Sequence, residues 1–154
     1  MALRGILTTM FEALKALLRP AVETDPGQRL EAAVAALLFE MTRMDGVQSG
    51  DDLAAIQAAL LALFEMSTTR AAELAQQASV PGNRLTSYFE AVTLINRHFD
   101  LERKIELIEH LWRLAYADAA LDLQEDHLVR KLSELMYVPH VQCMLARQRA
   151  RAPA

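Results

Sequence analysis

Three acidic or hydroxylated residues recur in the same order at two places in the chain: Asp45, Ser49 and Asp52, then Asp118, Asp122 and Glu125, each 73 positions later. Carboxylates gathered at a turn are hard oxygen ligands, the kind that divalent cations such as Ca²⁺ and Mg²⁺ take. The same residues also make ordinary helix starts. Ser49 or Asp122 at a cap can accept a bond from a free amide, while Asp52 or Glu125 three positions on returns one to the cap amide. Such a cap stabilises its helix by about 1 kcal/mol. Asp126 adds a further carboxylate beside the second corner, whereas Ser49 makes the first corner the poorer cation site. Neither is an EF-hand loop, because Val47 and Ala120 stand at the third ligand position and the spacing to a terminal Glu is wrong.

The remaining reactive side chains form no comparable pattern. His98, His110, His127 and His140 make no HExxH pair, and Cys143 is the only cysteine, which excludes an intramolecular disulfide. His127 follows Asp126, but neighbours on a helix point in different directions. His110 and Glu106 stand one turn apart and read as a surface pair. The glycines are isolated, so no phosphate-cradling loop is present, and the seven methionines suit adaptable packing. Trp112 and Tyr116, four residues apart, share a helix face and serve either to close the core or to anchor a partner. Arg147, Arg149 and Arg151 suit a helix C-terminus and then a flexible basic tail over 147–154; without a recognition helix they do not predict specific nucleic-acid binding.

Helices must position these corners. Leu3, Ile6, Leu7, Met10, Leu14 and Leu17 recur at steps of three and four and predict an N-terminal helix over 1–20. Asp25, Pro26 and Gln28 open a second helix whose inner stripe is Leu30, Val34, Leu37, Leu38, Met41 and Met44, ending at Gly46. A third carries Leu53, Ile56, Leu60, Leu63 and Phe64. The alanine-rich stretch from Ser67 to Ser79 reads as a shorter one, closed by Pro81 and Gly82. Ser87 and Glu90 suggest a capping box before Tyr88, Phe89, Val92, Ile95 and Phe99, and Asp100 caps the next helix. That helix carries Ile105, Ile108, Leu111, Trp112 and Ala115, with Glu109 and Arg113 as an exposed pair worth a few tenths of a kcal/mol, roughly. Leu128, Leu132 and Leu135 mark another, Val138 and Pro139 interrupt it, and a last helix runs from about His140 to Arg149. Seven or eight helices exhaust the chain, and no run alternates as a strand does.

Composition sets the class. The 154 residues, 53% of them hydrophobic, can enclose one substantial core without disulfides, so residues 1–154 are read as a single all-α domain. A net charge of −4 offers no general attraction to nucleic acid or anionic membrane. Apolar runs such as AAVAALLF are far too short to span a bilayer, and Glu12 and Lys15 interrupt the opening segment at helical spacing, unlike an export signal. A cytoplasmic protein is expected.

The paired corners resemble the tellurite-resistance TerB family, which is similar to the N-terminal region of the DjlA co-chaperone. The motif is Asp-Gly, a spacer and Glu, present here as Asp45, Gly46 and Asp52 and again as Asp118, Ala119 and Glu125. Its strongest stretch is LWRLAYADAALDLQEDHLVRKLSELMYVPH, and a looser likeness covers most of residues 25–145. Ala119 replaces the usual turn glycine in the second copy and Asp52 the usual glutamate in the first. The resemblance implies a TerB-like helical bundle with two related hairpins, a role in metal or stress resistance, and membrane-associated assemblies in which the protein is peripheral. It also implies a candidate cation or contact site at Asp45, Asp52, Asp118 and Glu125, to which the residue pattern adds Asp122. It implies no reaction, and no J-domain signature is present.

The leading expectation is thus a non-catalytic accessory module with a protein partner and a divalent cation as its one candidate cofactor. A structural module that forms a homodimer through its first helix is the alternative. An enzyme with a site assembled from distant residues is the third and least supported reading.

Overall fold

The computed structural model describes residues 9–11, 25–43, 50–83, 85, 87–117 and 123–151. Among these residues there is no strand. Residues 9–11 are helical, and seven further α-helices follow: α1 (Pro26–Arg43), α2 (Gly50–Leu63), α3 (Thr68–Ser79), α4 (Phe89–His98), α5 (Leu101–Ala115), α6 (Leu123–Leu135) and α7 (His140–Arg151). A single 3₁₀ turn, Pro81–Asn83, follows α3. The all-α bundle expected from periodicity is the observed architecture. Apart from residues 9–11, the segment expected as the N-terminal helix lies outside the described residues.

Helices α1 and α5 are the two axes of the bundle. Helix α1 packs against α2, α3, α4 and α5, while α5 packs against α1, α2, α6 and most extensively α7. A helix touched on several sides must be apolar nearly all round, and every residue from Val34 to Thr42 is buried. Thr42 satisfies its hydroxyl locally by donating to the carbonyl of Phe39 at 2.7 Å. The α5 contribution is Leu107, Ile108, Leu111, Trp112, Leu114 and Ala115. Helix α3 offers Ala71, Leu74, Ala75 and Ala78. Small side chains let its backbone approach α1, and an ion pair from Arg70 to Glu31 at 3.4 Å crosses the same seam.

Local start signals mostly act as their chemistry requires. Asp100 accepts the Arg103 N–H at 2.9 Å, and Ser67 accepts that of Arg70 at 3.1 Å. Ser87 departs from expectation. It accepts the N–H of Phe89 at 3.3 Å, and Tyr88 occupies the cap position of α4 with no side-chain cap bond, so no capping box forms with Glu90. Phe89, one of the apolar residues this helix carries, is 76% exposed, because α4 turns Ala91, Val92 and Ile95 to the core. The last helix also exceeds its expected end: residues 147–151, read as the start of a flexible tail, are helical. Residues 152–154 lie outside the described set.

The 73-residue repeat has a structural counterpart. Helix α2 begins at Gly50 and α6 at Leu123, the same offset, and the preceding helices α1 and α5 end within one residue of it. Phe39 and Trp112, equivalent in the repeat, are both buried. Each hairpin buries its own facing residues, and α1 packs on α5 to join them.

Helix α6 ends in a Schellman arrangement. The Val138 N–H donates to the Ser133 carbonyl and the Tyr137 N–H to the Glu134 carbonyl, both at 3.0 Å. Such an ending needs a left-handed residue, usually glycine, and here Tyr137 fills it at φ 61°. A Cβ in that conformation costs about 1 kcal/mol. Tyr137 is 79% exposed, and the Lys104 ammonium over its ring at 6.0 Å is a weak, solvent-facing contact that offsets little of the cost. Tyr137→Gly is expected to raise stability by about 0.5–1 kcal/mol in urea unfolding; an unchanged or lower midpoint would contradict the strain.

Candidate functional site

Asp52 and Glu125 are the third residues of α2 and α6. The first turn of a helix leaves its N–H groups without intrahelical acceptors and carries partial positive charge, so a carboxylate there is held favourably. Both side chains are nevertheless buried, at 8% and 4% exposure, which is unusual for residues of this type. Both are engaged in polar interactions, as a buried charge must be to offset its lost hydration. Their neighbours in the first turns, Asp51 and Asp126, are more accessible. Asp45, Asp118 and Asp122, the other three candidate ligands, lie outside the described residues, as does Ser49. Among the described residues no three His, Cys, Asp or Glu side chains gather in a way that could hold a metal ion.

Trp112 and Tyr116 form the seam between α5 and α7. Their rings lie 6.2 Å apart and tilted by 31°. Trp112 is fully buried and its indole N–H donates to the Cys143 carbonyl at 3.2 Å. The Arg147 guanidinium sits 5.4 Å from the centre of the Trp112 rings while its Nε donates to the Tyr116 hydroxyl at 2.7 Å. Arg151 lies over the Tyr116 ring at 5.7 Å. Of the pair, only Tyr116 is partly accessible.

Acidic groups on α5 and α6 complete this seam. Asp126 binds Arg130 at 2.9 Å within α6 and meets Arg147 at 3.8 Å. Glu109 pairs with Arg113 at 2.8 Å, as its spacing suggests, and also with Arg149. The arginines read from sequence as a solvated tail therefore ride on aromatic faces and carboxylates. Only the pairs within one helix could be found by spacing. Contacts from Arg147 and Arg149 to residues more than twenty positions away have no local signal.

The histidines and the thiol are dispersed. Cys143 is buried as an apolar group, and His98, His127 and His140 are exposed. His110 does not answer to Glu106. Burial on α5 lowers its pKa below the ordinary 6.5, the Arg113 charge pushes it further down, and Glu109 acts in the opposite sense.

A family model described as Tellurite resistance protein TerB matches residues 31–148. The chain belongs to the TerB family. No curated protein and no solved structure matches it. The match runs from Glu31 in α1 to Gln148 in α7 and so includes Asp52, Glu125, Trp112 and Tyr116. Among the described residues no helix is long and apolar enough to cross a membrane.

His110 provides a pH test of the seam helix. Its folded pKa is lowered, so as pH falls through about 6.5 the unfolded chain takes up the proton first. Its stability contribution is complete above that value and is lost progressively as pH falls towards the folded pKa. Urea midpoints measured between pH 7.5 and 5.5 are expected to fall less in His110→Gln than in the parent chain; parallel profiles would contradict this origin.

Proposed function

We propose that this chain is a non-catalytic accessory module of a metal or stress response, with acidic helix starts that take up a divalent cation. The supporting observation is the matched placement of Asp52 and Glu125. Two carboxylates occupy the same third position of two helices, 73 residues apart, and both are buried. A cap on a surface helix needs only an exposed carboxylate, whereas this pair is drawn inward at equivalent corners. Asp45, Asp118 and Asp122 precede those helix starts by a few residues and supply further oxygen ligands suited to a hard cation. Binding at the corner fixes one relation between the helices of a hairpin, and thereby the face that a protein partner meets. The likeness to the N-terminal region of DjlA, carried by the corner motif, fits a module that docks rather than reacts. A cytoplasmic setting belongs to the same reading.

Calorimetric titration of the full chain with Ca²⁺, Mg²⁺, Mn²⁺ and Zn²⁺ tests the cation. Saturable binding of at least one ion is expected, weakened about tenfold or more in Asp118→Asn. No binding of any of the four, or equal binding by the variant, would defeat this reading.

A second reading, a homodimer through the first helix, draws on Met10 and Phe11, which are 65% and 58% exposed on the single chain. Adjacent exposed apolar side chains on one helical segment suit a symmetric contact. Sedimentation across a hundredfold concentration range (roughly what separates weak dimers from monomers) is expected to show association that Met10→Lys abolishes. A parent chain that stays monomeric throughout removes the dimer.

A further inference from the structure

The end of α6 and the start of α7 line a cleft of about 400 Å³. His127, Arg130, Lys131 and Glu134 recur at steps of three and four along α6, so one helical face supplies that wall. His140, the first residue of α7, supplies the other, with Val138 and Cys143 at the base.

Two independent features of the cleft lack partners. Ser133 lines it at 2% exposure, and its hydroxyl makes no hydrogen bond within the protein. A buried hydroxyl left unpaired is costly, and natural structures rarely keep one without a ligand or solvent to meet it. The second feature is the N-terminus of the twelve-residue α7. Pro139 precedes it and has no side-chain oxygen to cap with, and no acidic residue stands in its first turn. The first intrahelical bond runs from the Cys143 N–H to the Pro139 carbonyl at 3.0 Å, which leaves the N–H groups of His140, Val141 and Gln142 directed back past the helix start.

We propose that this cleft is a binding site for a small oxyanion of the phosphate or sulfate type. The first-turn N–H groups and the positive end of the α7 dipole face the anion, Ser133 donates its hydroxyl, and Lys131 and Arg130 supply charge. Asp126 pairs with Arg130 at 2.9 Å, although the Arg130 Nε makes no hydrogen bond within the protein. Glu134 is the single carboxylate among the lining residues. Its charge opposes an anion, and Arg130, Lys131 and the helix start outweigh it. The tight turn at Tyr137 sets the angle between the two walls. None of the candidate cation ligands lines this cleft, so the anion titration is independent of the cation titration.

Titration of ¹⁵N-labelled full chain with inorganic phosphate, and separately with sulfate, at constant ionic strength set by chloride, tests the proposal. Saturable amide shifts are expected at Ser133 and at residues 140–142. Ser133→Ala weakens binding about tenfold, and the exposed Lys131→Gln about threefold. Ser133→Ala removes only an unpaired hydroxyl, so it folds, and its circular dichroism spectrum confirms that. The proposal is overturned by an absence of saturable shifts with both anions, by shifts confined to other residues, or by undiminished binding in both variants.

Discussion

An indole buried on every side has one N–H and must spend it. In this bundle the acceptor is the Cys143 carbonyl on α7, so Trp112 both fills the space between α5 and α7 and fixes their register. The Arg147 guanidinium then covers the ring and reaches the Tyr116 hydroxyl, which ties the basic end of α7 to the aromatic face of α5. Glu109 and Asp126 neutralise Arg149 and Arg147 along the same seam. Individually these exposed or half-exposed ion pairs contribute little. Attached to a buried aromatic they select one docking of α7 among those its modest apolar face allows. The cleft and the corner after α6 inherit their geometry from that docking.

The acidic corners obey another constraint. A helix start tolerates negative charge because its free N–H groups and dipole favour it. Evolution of a cap requires no more than that. Here the carboxylates of Asp52 and Glu125 are also enclosed, and their enclosure is matched across an internal repeat. Such a duplicated feature gives the two hairpins a common internal logic: an apolar helix, a corner, and an acid drawn beneath the first turn of the next helix. The TerB family match, over residues 31–148, includes both of these helix starts.

The two ends of α7 differ in the same electrostatic terms. Its C-terminus carries Arg149 and Arg151, favourable to the negative end of the helix, and these are engaged by neighbouring side chains. Its N-terminus carries neither cap nor acid and opens on a cleft with an unpaired hydroxyl. The α6 to α7 connection tolerates a left-handed tyrosine to make this junction. A glycine there would make the turn at less cost, so the strain is a feature of this sequence rather than a need of the fold.

Periodicity and capping chemistry were enough to read the seven helices between Pro26 and Arg151, because an apolar stripe at steps of three and four buries itself only when the segment is helical. Leu30, Val34, Leu37, Leu38 and Met41 are inside as their spacing requires, and Asp100 and Ser67 cap where their chemistry allows. The repeat was legible too, since equal offsets in sequence give equal offsets in helix starts. Phe89 was not. Its side depends on how α4 rolls against its neighbours, which no local pattern records. The partners of Arg147 and Arg149 were hidden for the same reason: charge is local in sequence, but pairing depends on which helices the core brings together. Burial of Asp52 and Glu125 and the unpaired Ser133 hydroxyl are likewise tertiary facts, for a residue's type states what it can bond, and only packing decides what remains within reach.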